Sequence, residues 1–99
     1  GGQFSYSTTL SNITRGNHFH TRKIERFVVI QGEAKISLRK IGSKKVYDFL
    51  LDGEKPSFVD IPIWFTHNIT NIGDEPLFTS FWINEPYDSE DRDTYFENV

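Results

Sequence analysis

The chain has 99 residues, of which 36% are hydrophobic and 15% aromatic, and this length supports one small domain over residues 1–99. With 11 basic and 14 acidic side chains, the formal net charge is −3, which argues against a nucleic-acid binder. The absence of cysteine excludes disulfides, thiolate catalysis and cysteine-held zinc, and no apolar run is long enough to cross a membrane.

Short runs of alternating apolar and polar residues, which are typical of half-buried β-strands, recur along the chain before residue 86. In chain order, strands are predicted at 4–10, 26–31, 34–39, 46–51, 57–61, 66–71 and 77–84, together with an extended segment around 16–20. Turn residues separate them, Asp52-Gly53 being a strong example. About eight short strands around one core predict an all-β jelly-roll barrel, because closing the sheet removes exposed edges.

The two ends of the chain differ in composition from its body. The opening Gly1-Gly2, in a chain with no methionine, is typical of an expression scar or a cut point, and a longer natural protein is left open. Residues 85–99 hold six acidic side chains and one basic side chain, which leaves the body slightly basic. This acidic C-terminal tail is predicted to be short and irregular or helical. It is either a solvated end or a segment whose aromatic residues pack on the body.

The three histidines of the chain occupy two places. His18 and His20 are two residues apart, so in an extended strand both project from the same face, with their Cα atoms about 6–7 Å apart. Glu25 follows at the entry to the next strand, and His67 lies at the start of a late strand. Two or three imidazoles with one carboxylate suit Zn²⁺, Fe²⁺, Mn²⁺ or Ni²⁺ and leave positions open for a substrate oxygen. The alternative is that these histidines are hydrogen-bonded structural residues.

The spacing of these residues resembles the two sequence motifs of the cupin superfamily of small β-barrel proteins. The first motif, H-x-H-x(3,4)-E-x(6)-G, is matched by His18, His20, Glu25 and Gly32. The second motif, P-x-G-x(2)-H-x(3)-N, is matched by Pro62, His67 and Asn71, with Trp64 in place of its glycine. The resemblance implies a double-stranded β-helix that holds a divalent metal with His18, His20, Glu25 and His67.

Within the cupins, the chain is similar to the C-terminal cupin domain of capsular polysaccharide enzymes of the CapF/WbjC type. The likeness covers nearly the whole chain and rests on residues 14–20, 54–56, 60–62, 66–71 and, most specifically, 93–96. It implies zinc-dependent epimerisation at C3 of a UDP-linked 4-keto-6-deoxy-N-acetylhexosamine, with an NADPH-dependent reductase domain preceding this one. Two departures stand out: Thr21 replaces the family's usual third histidine, a proton-handling group, and Trp64 puts an indole near the predicted barrel mouth.

Further residues are predicted to bind the substrate or to act in catalysis. A keto group at C4 makes the C3 proton acidic, and the base that removes it is Glu25, Asp60, a tyrosine or a water. A cationic rim for a diphosphate, with Trp64 at the mouth, is predicted from four basic residues: Arg15, Arg22, Lys23 and Arg26. The alternatives are an ordinary solvated strand edge for these basic residues and a turn position for Asp60.

The leading hypothesis is therefore epimerisation of a nucleotide sugar for surface polysaccharide synthesis. Its alternatives are a cupin-type nucleotide-sugar 3,4-ketoisomerase and a non-catalytic cupin that binds a sugar or a metal. The chain has no Gly-rich dinucleotide loop, so reduction by this chain is not expected. We expect a cytoplasmic homodimer that binds a nucleotide sugar and neither nucleic acid nor membrane. The apolar strands 3–10 and 77–84 are expected to extend the sheet across its two-fold axis.

Overall fold

Nine β-strands make up the regular structure of the computed structural model, which describes residues 2–55 and 57–99. In chain order they are β1 (Gln3–Thr9), β2 (Thr14–Phe19), β3 (Glu25–Gln31), β4 (Glu33–Lys40), β5 (Val46–Asp52), β6 (Phe58–Ile61), β7 (Phe65–Asn71), β8 (Leu77–Ile83) and β9 (Tyr95–Phe96). Gly1 of the predicted scar and Pro56 of the family-like segment lie outside the described residues. Within the two described ranges, no helical segment has the length and apolar character that crossing a bilayer demands.

The strands form two antiparallel sheets. One sheet has four strands in the order β1-β8-β3-β6, and the other has five in the order β5-β4-β7-β2-β9. Many neighbours in a sheet are distant in sequence, as where β1 pairs with β8 from Gln3 opposite Ile83 to Thr9 opposite Leu77. Two antiparallel sheets joined by such long connections form the jelly roll that the sequence predicts.

The core lies between the two sheets because each strand turns alternate side chains inward. Nine buried aliphatic residues fill it: Val29, Ala34, Ile36, Leu38, Leu51, Val59, Ile61, Ile69 and Leu77. The inward faces of the same strands also carry polar groups, since His67 lies two residues before Ile69 and Glu25 lies four residues before Val29. His67 and Glu25 are only 3% and 5% exposed. The fold therefore encloses polar, titratable side chains beside its aliphatic core.

The observed strands agree with most of the predicted ones to within a residue or two, and the differences concern the tail and β8. The tail 85–99 contains no helix, so the irregular form is the one found, and the sequence pattern does not predict its short strand β9. β8 is paired on both sides, by β1 and by β3, so it cannot extend the sheet across a two-fold axis as expected. Within the described residues, β1 is an edge strand, so its outer edge is open to pairing with a second copy across a two-fold axis.

Candidate metal and substrate site

Three histidines and one glutamate meet inside the barrel. His18 lies on β2, His20 directly follows that strand, Glu25 begins β3 and His67 lies on β7 opposite His18. One ligand atom from each of the four residues lies within 4.8 Å of the others. His18 is half-buried and the other three are buried. The fold thus brings together the four residues that the sequence motifs single out, and we refer to them as the cluster.

Hydrogen bonds determine which ring nitrogen of each buried histidine faces the cluster. His20 Nδ1 donates to the carbonyl oxygen of Asp93 at 2.6 Å, and its Nε2 contacts the Glu25 carboxylate. His67 Nδ1 donates to the carbonyl oxygen of Phe65 at 3.3 Å. No described residue hydrogen-bonds His67 Nε2, which is buried and lies 3.5 Å from Glu25 Oε1. In both rings Nε2 is therefore the atom available to a metal.

The pKa values of the cluster follow from burial and from mutual contacts. Burial alone would raise the pKa of Glu25, but contacts with His20 and His67 outweigh it and lower that pKa to about 2. Burial, together with the neighbouring His67, lowers the pKa of His18 to about 4. Burial would also lower the pKa of His20, but the hydrogen bond with Glu25 raises it above its usual value. At neutral pH the cluster offers an ionised carboxylate and, at His18, a neutral imidazole, which are the forms that bind metals.

This set of donor atoms fits a divalent metal. Three imidazole nitrogens and one carboxylate oxygen are ligand types used by Zn²⁺ and also by Fe²⁺, Mn²⁺ and Ni²⁺. A buried polar atom without a partner is unfavourable, as at His67 Nε2, and a bound cation would satisfy it. The Nδ1 hydrogen bonds of His20 and His67 are the outer contacts that commonly orient histidine ligands.

A β-bulge in β2 turns an arginine toward the cluster. The register of β2 against β7 shifts just before His18, and Asn17, with a φ of 59°, is the additional residue. Arg15 is paired with Ile69 and His18 with His67, and these two partners are on the same inner face of β7. Arg15 and His18 therefore face the same side, although residues three apart in a regular strand face opposite sides.

The cluster opens into a cavity of about 230 Å³. Besides His18, His20 and Glu25, its lining includes Ser7, Arg15, Phe27, Ile69, Thr79, Phe81, Ile83 and Thr94. The Arg15 guanidinium contacts the hydroxyl of Ser7. Of the four basic residues predicted to form a rim, Arg15 is the one that lines this cavity. A negatively charged ligand that reaches the cluster would therefore meet Arg15 beside it.

Two other basic residues of the predicted rim are engaged with the acidic tail. Arg22 binds Glu85 at 2.7 Å, a contact that is partly exposed to solvent. Lys23 is 3% exposed, and its Nζ lies 5.6 Å from the centre of the Tyr87 ring. Both residues hold the tail against the body, and the structure does not bring them to the cavity.

Arg26 and Asp60 lie on the outer face of the four-stranded sheet. Val59 and Ile61, the neighbours of Asp60 on β6, point into the core, so Asp60 points outward. Arg26 donates to the two carboxylate oxygens of Asp60 at 2.7 and 3.0 Å and thereby lowers the pKa of Asp60 below its usual value. Asp60 is therefore absent from the lining of the cavity of about 230 Å³, and of the two predicted catalytic carboxylates Glu25 is the one that lines it.

Trp64 occupies the turn between β6 and β7, at the position where the second motif has glycine. Its φ is 63°, in the left-handed region that favours glycine. The indole is 46% exposed and stacks on Phe19 at 5.7 Å between ring centres, and Phe19 stacks in turn on Tyr95 at 5.3 Å. Trp64 lies outside the lining of the 230 Å³ cavity. Its indole packs against the end of β2 instead.

The acidic tail supplies a further site residue, Asp93, which no spacing pattern marks and which belongs to the family-like segment 93–96. Its carboxylate accepts hydrogen bonds from the backbone N–H groups of Thr21, Arg22 and Lys23, and its carbonyl oxygen accepts one from His20. Burial alone would raise the pKa of Asp93, but these hydrogen bonds and that of the Thr21 hydroxyl lower it to about 2. Thr21, which replaces the family's usual third histidine, is therefore hydrogen-bonded to Asp93 of the tail.

Comparison with known proteins identifies the family. Residues 1–95 match the family model described as the polysaccharide biosynthesis C-terminal domain, so the chain belongs to that family. It is 42% identical over 95 residues to the UDP-2-acetamido-2,6-beta-L-arabino-hexul-4-ose reductase of Pseudomonas aeruginosa, covering 95% of this chain and 25% of that protein. The chain therefore spans about a quarter of the length of this curated relative.

Solved structures agree with this result. The capsular polysaccharide assembling protein CapF of Staphylococcus aureus has a TM-score of 0.97 at 40% identity, covering 99% of this chain and 29% of that chain. CapF has also been solved with the inhibitor 3-isopropenyl-tropolone. These matches confirm the predicted resemblance to CapF-type domains.

More distant structures share the fold. The 3,5-epimerase RmlC of Legionella pneumophila has a TM-score of 0.76 at 20% identity, covering 95% of this chain and 52% of that chain. The sugar 3,4-ketoisomerase QdtA of Thermoanaerobacterium thermosaccharolyticum has a TM-score of 0.75 at 21% identity, covering 94% and 64%. Both confirm the cupin-type jelly roll.

Proposed function

We propose that this chain is a nucleotide-sugar epimerase domain, which uses zinc or a similar divalent metal to invert C3 of a UDP-linked 4-keto-6-deoxy-N-acetylhexosamine in surface polysaccharide synthesis. The observation that carries the proposal is the cluster of His18, His20, Glu25 and His67 beside a cavity of about 230 Å³. Arg15 lines the same cavity. Cation-binding groups next to a guanidinium suit a substrate that combines a ketone with a diphosphate.

Inversion at C3 requires the loss and return of one proton and no oxidant. The C4 ketone makes the C3 hydrogen acidic, and its removal leaves an enolate with negative charge on the C4 oxygen. A proton delivered to the opposite face then gives the inverted centre. A divalent metal in the cluster would supply positive charge close to the C4 oxygen. No hydride is transferred, so the reaction needs no nicotinamide cofactor.

All four cluster residues are proposed to hold the metal. The Nδ1 hydrogen bonds of His20 and His67 turn each Nε2 toward the Glu25 carboxylate, and the low pKa of His18 keeps its ring neutral. The pKa of Glu25, about 2, keeps its carboxylate ionised and suits it to be a ligand, but makes it a weak base at neutral pH. With Asp60 on the outer face and no tyrosine among the described residues that line the cavity, removal of the C3 proton falls to Glu25 or to a water there.

The variant Glu25→Gln separates the two roles of this carboxylate. If Glu25 is a ligand, the variant loses bound metal and proton exchange together. If Glu25 is the base, the variant keeps its metal and loses exchange. Asp60→Asn removes a carboxylate from the outer face and is the matched control, which is expected to keep both metal and exchange.

Arg15 is the residue proposed to bind the diphosphate. It lines the cavity and contacts a neutral hydroxyl, whereas Arg22 and Arg26 are each paired with carboxylates. Arg22, Lys23, Arg26 and Trp64 lie outside the cavity lining. Any contact that they make would involve parts of the substrate that extend beyond the cavity.

The relatives support this choice of substrate and metal. The name of the Pseudomonas aeruginosa relative describes a UDP-linked acetamido sugar with its carbonyl at C4. The inhibitor in the CapF structure is a tropolone, which carries a ketone and a hydroxyl on adjacent ring carbons, an oxygen pair that chelates divalent metals. Because that relative is a reductase and this chain matches a quarter of it, we also propose that an NADPH-dependent reductase domain precedes this one in the natural protein.

Proton exchange in D₂O tests the proposed reaction. Zinc-loaded protein, with no nicotinamide cofactor, is incubated with a UDP-linked 4-keto-6-deoxy-N-acetylhexosamine and followed by proton NMR. We expect the C3 proton signal to disappear faster than in buffer alone, with the carbonyl remaining at C4. A carbonyl that moves to C3 would favour the 3,4-ketoisomerase instead. A C3 signal that lasts as long as in the buffer control would overturn both enzymatic functions and favour a binding module.

A further inference from the structure

We propose that Asp93 of the C-terminal tail is a positioning residue, which sets the orientation and the tautomer of His20. The proposal rests on the metal site of the proposed function and adds to it a residue 73 positions further along the chain. Asp93 is 6% exposed, whereas Glu90 and Asp91 of the same tail are exposed. A tail that is only a solvated end would not bury one of its carboxylates.

The carboxylate of Asp93 holds the loop between β2 and β3. Its Oδ2 accepts hydrogen bonds from the N–H groups of Arg22 at 2.7 Å and Lys23 at 3.0 Å. Its Oδ1 accepts them from the N–H and the hydroxyl of Thr21, at 3.0 and 2.5 Å. Three consecutive N–H groups converging on one carboxylate form a strong anion-binding arrangement. The loop that directly follows His20 is therefore fixed relative to Asp93.

The carbonyl group of Asp93 contacts His20 itself. Asp93 has a φ of 49°, and in this left-handed conformation its carboxylate binds the loop while its carbonyl oxygen lies 2.6 Å from His20 Nδ1. A carbonyl oxygen can only accept, so Nδ1 carries a hydrogen, and Nε2, which faces the Glu25 carboxylate, is the atom that a metal would bind. A histidine ring held in this way presents a preformed ligand to a metal.

The residues that follow Asp93 hold its position from the other side. The N–H of Glu97 donates to the carbonyl oxygen of Asn17 at 2.9 Å, and the hydroxyl of Thr66 donates to the carbonyl oxygen of Glu97. The carboxylate of Glu97 binds Arg39 at 2.6 Å. The tail is thus attached to the body beyond Asp93 as well as at Asp93, which keeps its carbonyl group beside His20.

The test replaces Asp93 by glycine, which tolerates the left-handed φ and removes the carboxylate without new backbone strain. Zinc affinity is measured by competition with a chromophoric chelator, and the His20 ring is observed by proton–nitrogen NMR of the metal-free protein. We expect Asp93→Gly to weaken zinc binding roughly 10- to 100-fold and to abolish the slowly exchanging Nδ1–H signal of His20. Glu90→Gln removes one charge from the exposed part of the tail and is expected to match the wild type in both measurements.

Wild-type zinc affinity together with an unchanged Nδ1–H signal in Asp93→Gly would overturn the proposal. If Asp93→Gly does not fold, Thr21→Val takes its place, because it removes one hydroxyl donor to Asp93. Weaker zinc binding with faster exchange of the ring N–H in Thr21→Val supports the proposal, and wild-type values of both refute it. If the wild-type protein binds no zinc, the metal site of the proposed function is refuted. The role of Asp93 is then still tested, because the Nδ1–H signal of the metal-free protein reports whether Asp93 holds the His20 ring.

Discussion

The backbone N–H of Trp64 donates a hydrogen bond of 2.7 Å to the carbonyl oxygen of His20. The turn between β6 and β7 thereby holds the end of β2 that carries a metal-ligand candidate. It does so with a non-glycine residue at a φ of 63°, so the surrounding contacts must offset the strain of that conformation. The stacking of the indole on Phe19 is one such contact.

Replacing Trp64 by glycine and by alanine separates backbone strain from the loss of the indole. Both variants lose the stacking on Phe19, but only glycine adopts a positive φ without steric strain. The free energy of unfolding of Trp64→Gly is therefore expected to exceed that of Trp64→Ala by about 1 kcal/mol. Urea unfolding measures the difference. The same pair at Thr8, an exposed position on β1, is expected to show the reverse order. Equal stability of the two Trp64 variants would refute backbone strain.

Metal content is expected to depend on the cluster. Protein prepared without a chelator or a histidine tag should contain about one divalent metal per chain by elemental analysis. His67→Ala should lose most of it, because it removes one of four donor atoms. Thr79→Ala, which truncates a buried polar side chain lining the same cavity, should keep its metal. A metal content near zero in the wild type would contradict the site, once circular dichroism has confirmed that all three proteins are folded.

The two arginines Arg15 and Arg26 are expected to differ in their effect on substrate binding. Arg15→Gln should raise the KM for the nucleotide sugar roughly 10-fold or more and change kcat less, since a hydrogen bond to a charged group contributes about 1.5–3 kcal/mol. Arg26→Gln removes the same charge from the outer face, where Arg26 binds Asp60, and should leave KM unchanged. Steady-state kinetics measure both variants. A larger increase in KM for Arg26→Gln than for Arg15→Gln would indicate that the diphosphate binds on the outer face instead.

The stability of the protein in acid is expected to depend on Asp93. Its pKa is about 2 in the folded chain and 3.8 when unperturbed, so its contribution of about 2 kcal/mol is complete above pH 3.8 and is lost as pH falls through 2. The unfolding free energy of the wild type should therefore exceed that of Asp93→Asn by about 2 kcal/mol more at pH 6 than at pH 2. Urea unfolding at several pH values measures this, with Glu90→Gln as a control for loss of tail charge. A difference that does not change with pH would contradict the assignment.

A homodimer remains expected, and β1 is the element on which it depends. β1 is an edge strand that exposes 71% of Phe4 and 76% of Tyr6. Light scattering at micromolar concentration should give twice the chain mass of 11.5 kDa, and Tyr6→Glu should shift the population toward monomer. Leu50→Glu, at an equally exposed position on edge strand β5, should leave the dimer intact. A wild-type mass of 11.5 kDa would refute the dimer.

Strand periodicity together with the family resemblance predicts the cluster. Residues two apart on a strand share a face, which joins His18 to His20, and the resemblance to the two cupin motifs adds Glu25 and His67. The same alternation could have removed Arg26 from the predicted rim, since it neighbours Glu25 and so points to the opposite face. Strand alternation alone therefore places Arg26 away from the cluster.

Two features of the site lie beyond such rules. The inward orientation of Arg15 depends on one additional residue at Asn17, and a bulge of this kind has no period that a sequence pattern could reveal. Asp93 acts on His20 through its carbonyl oxygen, a group that every residue has. Only the path of the tail places it beside the histidine, and that path results from contacts between distant parts of the chain.

The separation of 73 residues between His20 and Asp93 has a consequence for the order of events during synthesis. A nascent chain can form the hairpin of β4 and β5 early, because that contact is local. The hydrogen bond that orients the His20 ring forms only after residue 93 has left the ribosome and docked. Under the proposed role of Asp93, full affinity for the metal would therefore be acquired only after the segment around residue 93 has been synthesised and has docked on the body, long after the histidine itself.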